Sequence, residues 1–134
     1  MEIKSAPFQS FFGEYELAVA VNSYARNGRL AVNLLCKEEG DWMPYAFLTV
    51  NLPKEPLKAN EAFIKTSDEN VGLLDFVLQN QLGTLCPDVG HSGFCTYPKI
   101  AFDMEKLKGF DPEGTEKYLH QSQQKKRTPK RKER

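Results

Sequence analysis

An α+β domain is the fold class this sequence predicts: an antiparallel meander sheet of four to five strands packed against one main helix, with a disordered basic C-terminal tail. Three observations predict it. Residues 15–52 alternate apolar and polar side chains in three successive runs, the period of half-buried strands. Between 71 and 82 the apolar spacing changes to three and four residues, the period of one helix face. The last ten residues carry seven basic side chains against one acid, a run that repels itself and has no apolar side chain to bury.

The elements follow in order. Residues 1–13 are weakly patterned, and Phe8, Phe11 and Phe12 before Gly13 predict a short packing turn. Tyr15, Leu17, Val19 and Val21 share one face of a first strand over 15–24. Asn27-Gly28 predicts a tight hairpin turn, because both residues tolerate positive φ. Leu30, Val32, Leu34 and Cys36 share a face of the second strand, and Glu38-Glu39-Gly40-Asp41 turns the chain into the third. That strand, 43–52, sets Ala46, Leu48, Val50 and Leu52 against Tyr45, Phe47, Thr49 and Asn51.

Pro53 and Pro56 end the pattern, since proline cannot donate to a ladder. A short fourth strand is predicted at 62–65. The helix then places Val71, Leu74, Val77, Leu78 and Leu82 on one face, with Ser67, Asp68 or Asn70 as cap and Gly83 as the glycine past its end. Residues 84–96 read as a loop, 97–103 as a last strand made an edge by Pro98, and Asp111-Pro112 as the start of a short polar helix. The core is expected to draw on Leu17, Val19, Val32, Leu34, Leu48, Val50, Leu74 and Leu78.

At 134 residues the chain fits one domain, 1–120, followed by the tail, 121–134. Its 18 basic and 18 acidic residues balance, but residues 1–124 alone hold 11 and 17, a formal charge of −6. An acidic body therefore carries a basic arm. No apolar run approaches the roughly 20 residues that span a bilayer, and the opening Met1-Glu2-Ile3-Lys4-Ser5 lacks the apolar stretch of a signal peptide. A cytoplasmic protein without membrane contact is expected. Three cysteines, Cys36, Cys86 and Cys95, are then expected as free thiols.

Tyr24-Ala25-Arg26-Asn27-Gly28-Arg29-Leu30-Ala31-Val32 resembles the start of a small bacterial domain family of unknown function. The resemblance continues through Pro44–Pro53, Glu61–Lys65 and the helix start from Glu69-Asn70 to Leu74, and so spans about residues 20–83. The family is carried by conjugative elements and phages. The resemblance implies a mobile-element protein and brings no catalytic residues with it. The Phe-rich start, the Cys/His loop and the basic tail lie outside it.

Chemistry-bearing residues are few. Cys86, His91 and Cys95 offer three soft ligands in a glycine-containing loop, with Asp88, Cys36 or His120 as a fourth. A structural zinc site needs four, and neither a Cys-x-x-Cys knuckle nor any other metal or cofactor motif is present, so no cofactor is expected. A Cys86–Cys95 disulfide or a nucleophilic pair of either thiol with His91 stays open. The acids Glu38, Glu39, Asp41, Asp68, Glu69, Asp75, Asp103 and Glu105 fall in turns and helix ends, where carboxylates cap and solubilise. The sequence contains no phosphate-binding glycine loop and no metalloprotease or hydrolase signature.

Two surfaces remain as candidates for binding. Trp42, Tyr45 and Phe47 form an aromatic group suited to an interface; core packing beneath the helix or beneath the segment with Phe8, Phe11 and Phe12 is the competing role, and a nucleic-acid platform the third. Lys125, Lys126, Arg127, Lys130, Arg131, Lys132 and Arg134 can hold a phosphate backbone or an acidic protein by charge. The expectation is a non-enzymatic protein-binding accessory protein of a mobile element, one form of which is an inhibitor of a host defence complex. A nucleic-acid-binding factor acting through the tail, and a small Cys/His enzyme, are the alternatives.

Overall fold

The computed structural model describes residues 3–10 and 13–121. Phe11, Phe12 and the tail cations from Lys125 to Arg134 lie outside the described residues, as does the side chain of Glu69.

The alternating runs pair into an antiparallel meander. Strands β1 (Ser5–Ser10), β2 (Gly13–Ser23), β3 (Leu30–Glu38) and β4 (Asp41–Phe47) form one four-stranded sheet in that order. Residues Ser5–Ser10 are thus a strand, in which Ala6 and Phe8 face Leu17 and Tyr15 across the ladder and bury their side chains; the part of the expected packing turn at Phe11 and Phe12 lies outside the described residues. The Asn27-Gly28 turn is wider than expected. Only Gly28 takes a positive φ, 72°, its N–H bonds Tyr24 O at 2.7 Å, and strand pairing stops at Ser23 and Leu30. The tight two-residue turn is Glu39-Gly40, with φ of 50° and 88° between the paired Glu38 and Asp41. Both positive angles match the twist of the flanking strands.

The third predicted strand divides at Leu48. Leu48 N–H bonds Val32 O at 3.1 Å on one side, and its carbonyl accepts Lys65 N–H at 2.9 Å on the other. From there β5 (Thr49–Val50) joins a second antiparallel sheet with β6 (Glu61–Ile64), β7 (Gly83–Ser92) and β8 (Cys95–Phe102), in the order β5-β6-β8-β7. The Thr49 hydroxyl accepts the Val32 N–H at 3.1 Å and shares a 2.8 Å bond with the Tyr24 hydroxyl, filling the place the departing strand leaves. The α+β class therefore stands, with two four-stranded sheets in place of one of four to five strands.

The segment 84–96, read as a loop, is this second hairpin. Its alternation is hidden because the outer strand β7 is exposed along most of its length, so its residues carry no apolar period. Pro98 does not mark an edge, since β8 lies between β6 and β7. Pairing with β6 ends at Lys99, so Pro98 sits past the end of that ladder and owes it no N–H.

The main helix is shorter and rotated relative to expectation. A 3-10 turn at Asp68–Asn70 precedes α1 (Leu73–Gln79), whose buried face is Leu73, Phe76 and Val77. Val77 and Leu82 are buried as expected, whereas Leu78 is exposed, Leu74 is half-buried and the exposed Val71 precedes the helix, whose N-cap is Gly72. Its C-terminus closes on Gln81, φ 57°, with Leu82 N–H to Val77 O at 2.9 Å and Gln81 N–H to Leu78 O at 3.1 Å. This paired 6→1 and 5→2 arrangement is a Schellman stop, and Gln81, not Gly83, occupies its left-handed position.

Two further helices follow β8. Helix α2 (Met104–Phe110), absent from the sequence reading, starts at Asp103, whose carboxylate accepts the N–H groups of Glu105 and Lys106. Helix α3 runs over 112–121 and begins at Asp111-Pro112 as expected. It is not polar throughout: Thr115 and Tyr118 are buried, and the Tyr118 hydroxyl donates to Ala59 O. A single core joins all the layers, from Leu17, Val32 and Leu48 through Ile64 and Ile100 to Leu107 and Phe110.

Candidate functional site

Antiparallel partners share a face, so the register of the first sheet defines what its outer surface presents. Trp42 opposes Lys37, Pro44 opposes Leu35, which opposes Ala18, and Phe47 opposes Asn33, which opposes Ala20. Pro44, Leu35 and Ala18 make one apolar row across three strands, flanked by the Trp42–Lys37 and Phe47–Asn33 pairs. Phe47 is 72% exposed, Trp42 is half-buried with the Lys37 ammonium 5.8 Å from its ring centre, and no described segment covers them. The Phe47 carbonyl accepts Asn70 Nδ2 at 2.9 Å, one residue before the exposed Val71.

Tyr45 does not belong to this group. The register passes from Leu34–Ala46 to Leu35–Pro44 and skips it. As the bulged residue it turns to the inner side, where its ring lies 6.1 Å from Phe8 and 5.5 Å from Tyr15. A bulge re-aims one side chain against the two-residue period, and alternation alone cannot place it. The expected aromatic trio is therefore divided into two surface residues and one core contact.

Towards α2 and α3 the same face deepens into a cleft of about 550 Å³ over Ile3, Ala18, Ala20, Leu35, Phe110 and Pro112. Glu113 and Glu116 stand at its wall. Glu116 is paired with Lys108, whereas Glu113 has no ion-pair partner among the described residues. This arrangement can hold an apolar side chain and a neighbouring hydrogen-bond donor or cation.

A second pocket, about 410 Å³, lies outside the second sheet between Pro56, Leu57, Lys58 and the β7–β8 hairpin. The register there jumps from Leu85–Ile100 to Val89–Pro98, so Cys86, Pro87 and Asp88 bow out opposite Lys99. The Lys99 side chain is 9% exposed. Its ammonium bonds Asp88 Oδ2 at 2.6 Å, lies 3.9 Å from Glu61 Oε1 and stands 5.7 Å from the Phe63 ring centre. The Asp88 bond raises the lysine pKa, and the same bond lowers that of Asp88. Burial raises the Cys86 pKa, with Glu61 and Asp88 adding to it. The Lys99 and Cys86 shifts both favour the protonated forms, ammonium and thiol, which are the less nucleophilic ones. Sequence reading missed Lys99: it alternates with the inward Ile100 and Phe102 and so takes the outer face of β8, where a lysine reads as an ordinary solvated residue.

The Cys/His set is not assembled. Cys86 and His91 are five residues apart on β7, a separation on the order of 15 Å along a strand. His91 pairs with Thr96 and Cys95 with Ser92, adjacent ladder positions whose side chains take opposite faces. His91 Nδ1 faces the Thr96 hydroxyl at 3.4 Å. All three cysteines are free, Cys36 buried in the core, and no group of three His, Cys, Asp or Glu side chains among the described residues could hold a metal ion. The turn acids take local roles, Asp103 capping α2 and Asp68 lying 3.8 Å from Lys65.

Fold and surfaces define a small two-sheet α+β domain with an uncovered apolar face and no assembled nucleophile or metal set among the described residues. Residues 18–122 match, and the chain belongs to, a family described as a domain of unknown function (DUF4313). The match is longer than the resemblance over 20–83 and takes in the β7–β8 hairpin, α2 and α3. No curated protein and no solved structure matches the chain. No described helix is long and apolar enough to cross a membrane.

Proposed function

We propose that this chain is a non-enzymatic protein-binding accessory protein of a bacterial mobile element, acting in the cytoplasm, with inhibition of a host defence complex as one form of that role. The observation that carries the binding is the outer face of the first sheet. Phe47, Trp42 and Pro44 lie in register on one side of a sheet whose other side is filled by the core. Aromatic anchors of this kind dominate interface energetics. The separation of Cys86 from His91 along β7, together with the upward pKa shifts of Lys99 and Cys86, supports a role without covalent catalysis. The mobile-element setting rests on the resemblance over residues 20–83. The test is capture of a partner from the native host by the tagged chain and by a Trp42→Ala, Phe47→Ala variant. Loss of the partner with retained melting temperature is expected, and full retention would refute the assignment of this face.

The tail supports a second reading, binding of nucleic acid by charge. Residues 1–124 at −6 are repelled by phosphate and the tail, at +6, is attracted. Any such affinity would reside in the tail, ignore base sequence, and fall with salt at a log–log slope of about −5 on duplex DNA. A shift assay at two salt concentrations, with and without residues 122–134, separates this reading from the first.

A further inference from the structure

An asparagine amide is open to attack by the next backbone nitrogen, and most so before glycine, which has no Cβ to block the approach. Asn27-Gly28 is the one such pair in the sequence; Asn22, Asn33, Asn51, Asn60, Asn70 and Asn80 all precede larger residues. In the reaction the Gly28 nitrogen loses its proton and bonds to Asn27 Cγ. The Cγ–Nδ2 bond breaks, ammonia leaves and a cyclic imide remains. Water then opens the ring at either carbonyl and gives aspartate or isoaspartate. Water is the one co-reactant.

The folded turn opposes each part of that step. Gly28 N–H donates to Tyr24 O at 2.7 Å, so the attacking nitrogen keeps its proton in a hydrogen bond. Asn27 Oδ1 accepts Arg29 N–H at 3.1 Å, and Nδ2 donates to Asn51 Oδ1 at 3.1 Å, so both ends of the amide are held. Tyr24 N–H bonds Arg29 O at 2.9 Å, and Arg29 Nη1 donates to Leu52 O at 2.8 Å, which ties the loop to the chain just past β5.

We propose that Asn27 is a site of spontaneous deamidation gated by the 24–29 turn. The closed turn holds the amide and its attacking nitrogen in separate hydrogen bonds, and the open turn releases both. Conversion then proceeds at a rate set by local opening of this turn. Its two products differ in consequence. Aspartate at 27 keeps the acceptor for Arg29 N–H, and Asn51 Nδ2, already 3.5 Å from Asn27 Oδ1, can turn to the new oxygen. Isoaspartate adds a methylene to the main chain and lengthens the loop that the two Tyr24 bonds close. The inference is independent of the binding role of Trp42 and Phe47.

The experiment incubates the full chain in mildly alkaline buffer, native and in guanidinium chloride. Peptide mapping by mass spectrometry and chromatography separates asparagine, aspartate and isoaspartate at each position. Conversion at Asn27 is expected in both samples, at least about tenfold slower in the native one, the factor that a local opening of about 1.4 kcal/mol imposes. Asn51→Ala, which frees Nδ2, should raise the native rate severalfold and leave the rate in denaturant unchanged. If that variant does not fold, hydrogen exchange of the Gly28 amide in the wild type replaces it, and protection matching the native slowing is expected. Equal rates in the native and denatured chains, or conversion concentrated at another asparagine, would overturn the inference. So would a native rate untouched by Asn51→Ala, or a Gly28 amide that exchanges without protection.

Discussion

The Asp111 carboxylate accepts the backbone N–H of Val21 at 2.8 Å, 90 positions away in the chain. Pairing of β1 with β2 ends at Ala18, so Val21 lies on an open strand edge. The other carboxylate oxygen accepts Gly114 N–H at 3.1 Å and caps α3. One side chain thus starts a helix and closes a sheet edge, and the helix it starts lies along the same edge.

Replacing Asp111 with alanine should therefore cost more than an ordinary cap. The cap contributes about 1 kcal/mol, and the orphaned Val21 N–H adds about 1 to 2 kcal/mol. A loss of roughly 2 to 3 kcal/mol is expected in urea unfolding. A change below about 0.5 kcal/mol would mean that water replaces the carboxylate at both donors.

Two helical glycines should respond oppositely to alanine. At Gly114 a Cβ would collide with the Val21 carbonyl and the Asp111 carboxylate, so α3 can lie this close to β2 only without one. Gly114→Ala should destabilise by about 1 to 3 kcal/mol, the usual range for overpacking. At Gly109 the nearest atom is Lys4 Nζ at 3.9 Å. Gly109→Ala should stabilise by about 0.5 to 1 kcal/mol through helix propensity. Thermal melts of the two variants decide this, and a shared sign would contradict the packing of α3 on β2.

The Lys99–Asp88 pair makes stability pH-dependent in a defined direction. Asp88 has its pKa lowered by the Lys99 bond, so the unfolded chain binds a proton there more readily. Its contribution is present above the unfolded value of about 3.9 and is lost as pH falls through the lower folded value. Lys99, raised by the same bond, contributes below its unfolded value of about 10.4 and loses that contribution as pH rises through the folded one. Asp88→Asn should destabilise the protein at pH 7 and flatten the acid limb below about pH 4. Parallel acid limbs in variant and wild type would show that the bond is not maintained in solution.

Removal of residues 122–134 should leave the melting temperature within about 2 °C of the full chain, since the described core ends at Tyr118. Truncation after Asp111 removes Thr115 and Tyr118, both buried, together with the helix covering the β2 edge. That shorter chain should fail to give a cooperative melt by circular dichroism. A cooperative melt would place α3 outside the folding unit.

Alternation was enough to place β2 and β3 and their inward faces, because each contrast between neighbours there lies within one strand; over 43–52 it failed at Tyr45, which turns inward, and at Thr49 and Val50, of which the first is buried and the second, an expected core residue, is half-buried. Leu17, Val19, Val32, Leu34 and Leu48 are all buried as their spacing required. Asp111-Pro112 likewise marked the start of α3, since a cap and a following proline act within one turn. What the sequence could not carry were relationships between distant segments. Tyr45 turns inward because the β3–β4 register skips it, and Leu48 changes sheets because Val32 and Lys65 bond it from opposite sides. The β7–β8 hairpin reads as a loop because its outer strand faces solvent, where no periodic apolar signal is needed. Lys99 is buried beside the Phe63 ring because Glu61 lies across the ladder and Asp88, eleven residues earlier, bows out to meet its charge. Local periodicity is set by which side of an element is wet, whereas register, bulges and charge pairing are set by the partner strand, and those only tertiary structure decides.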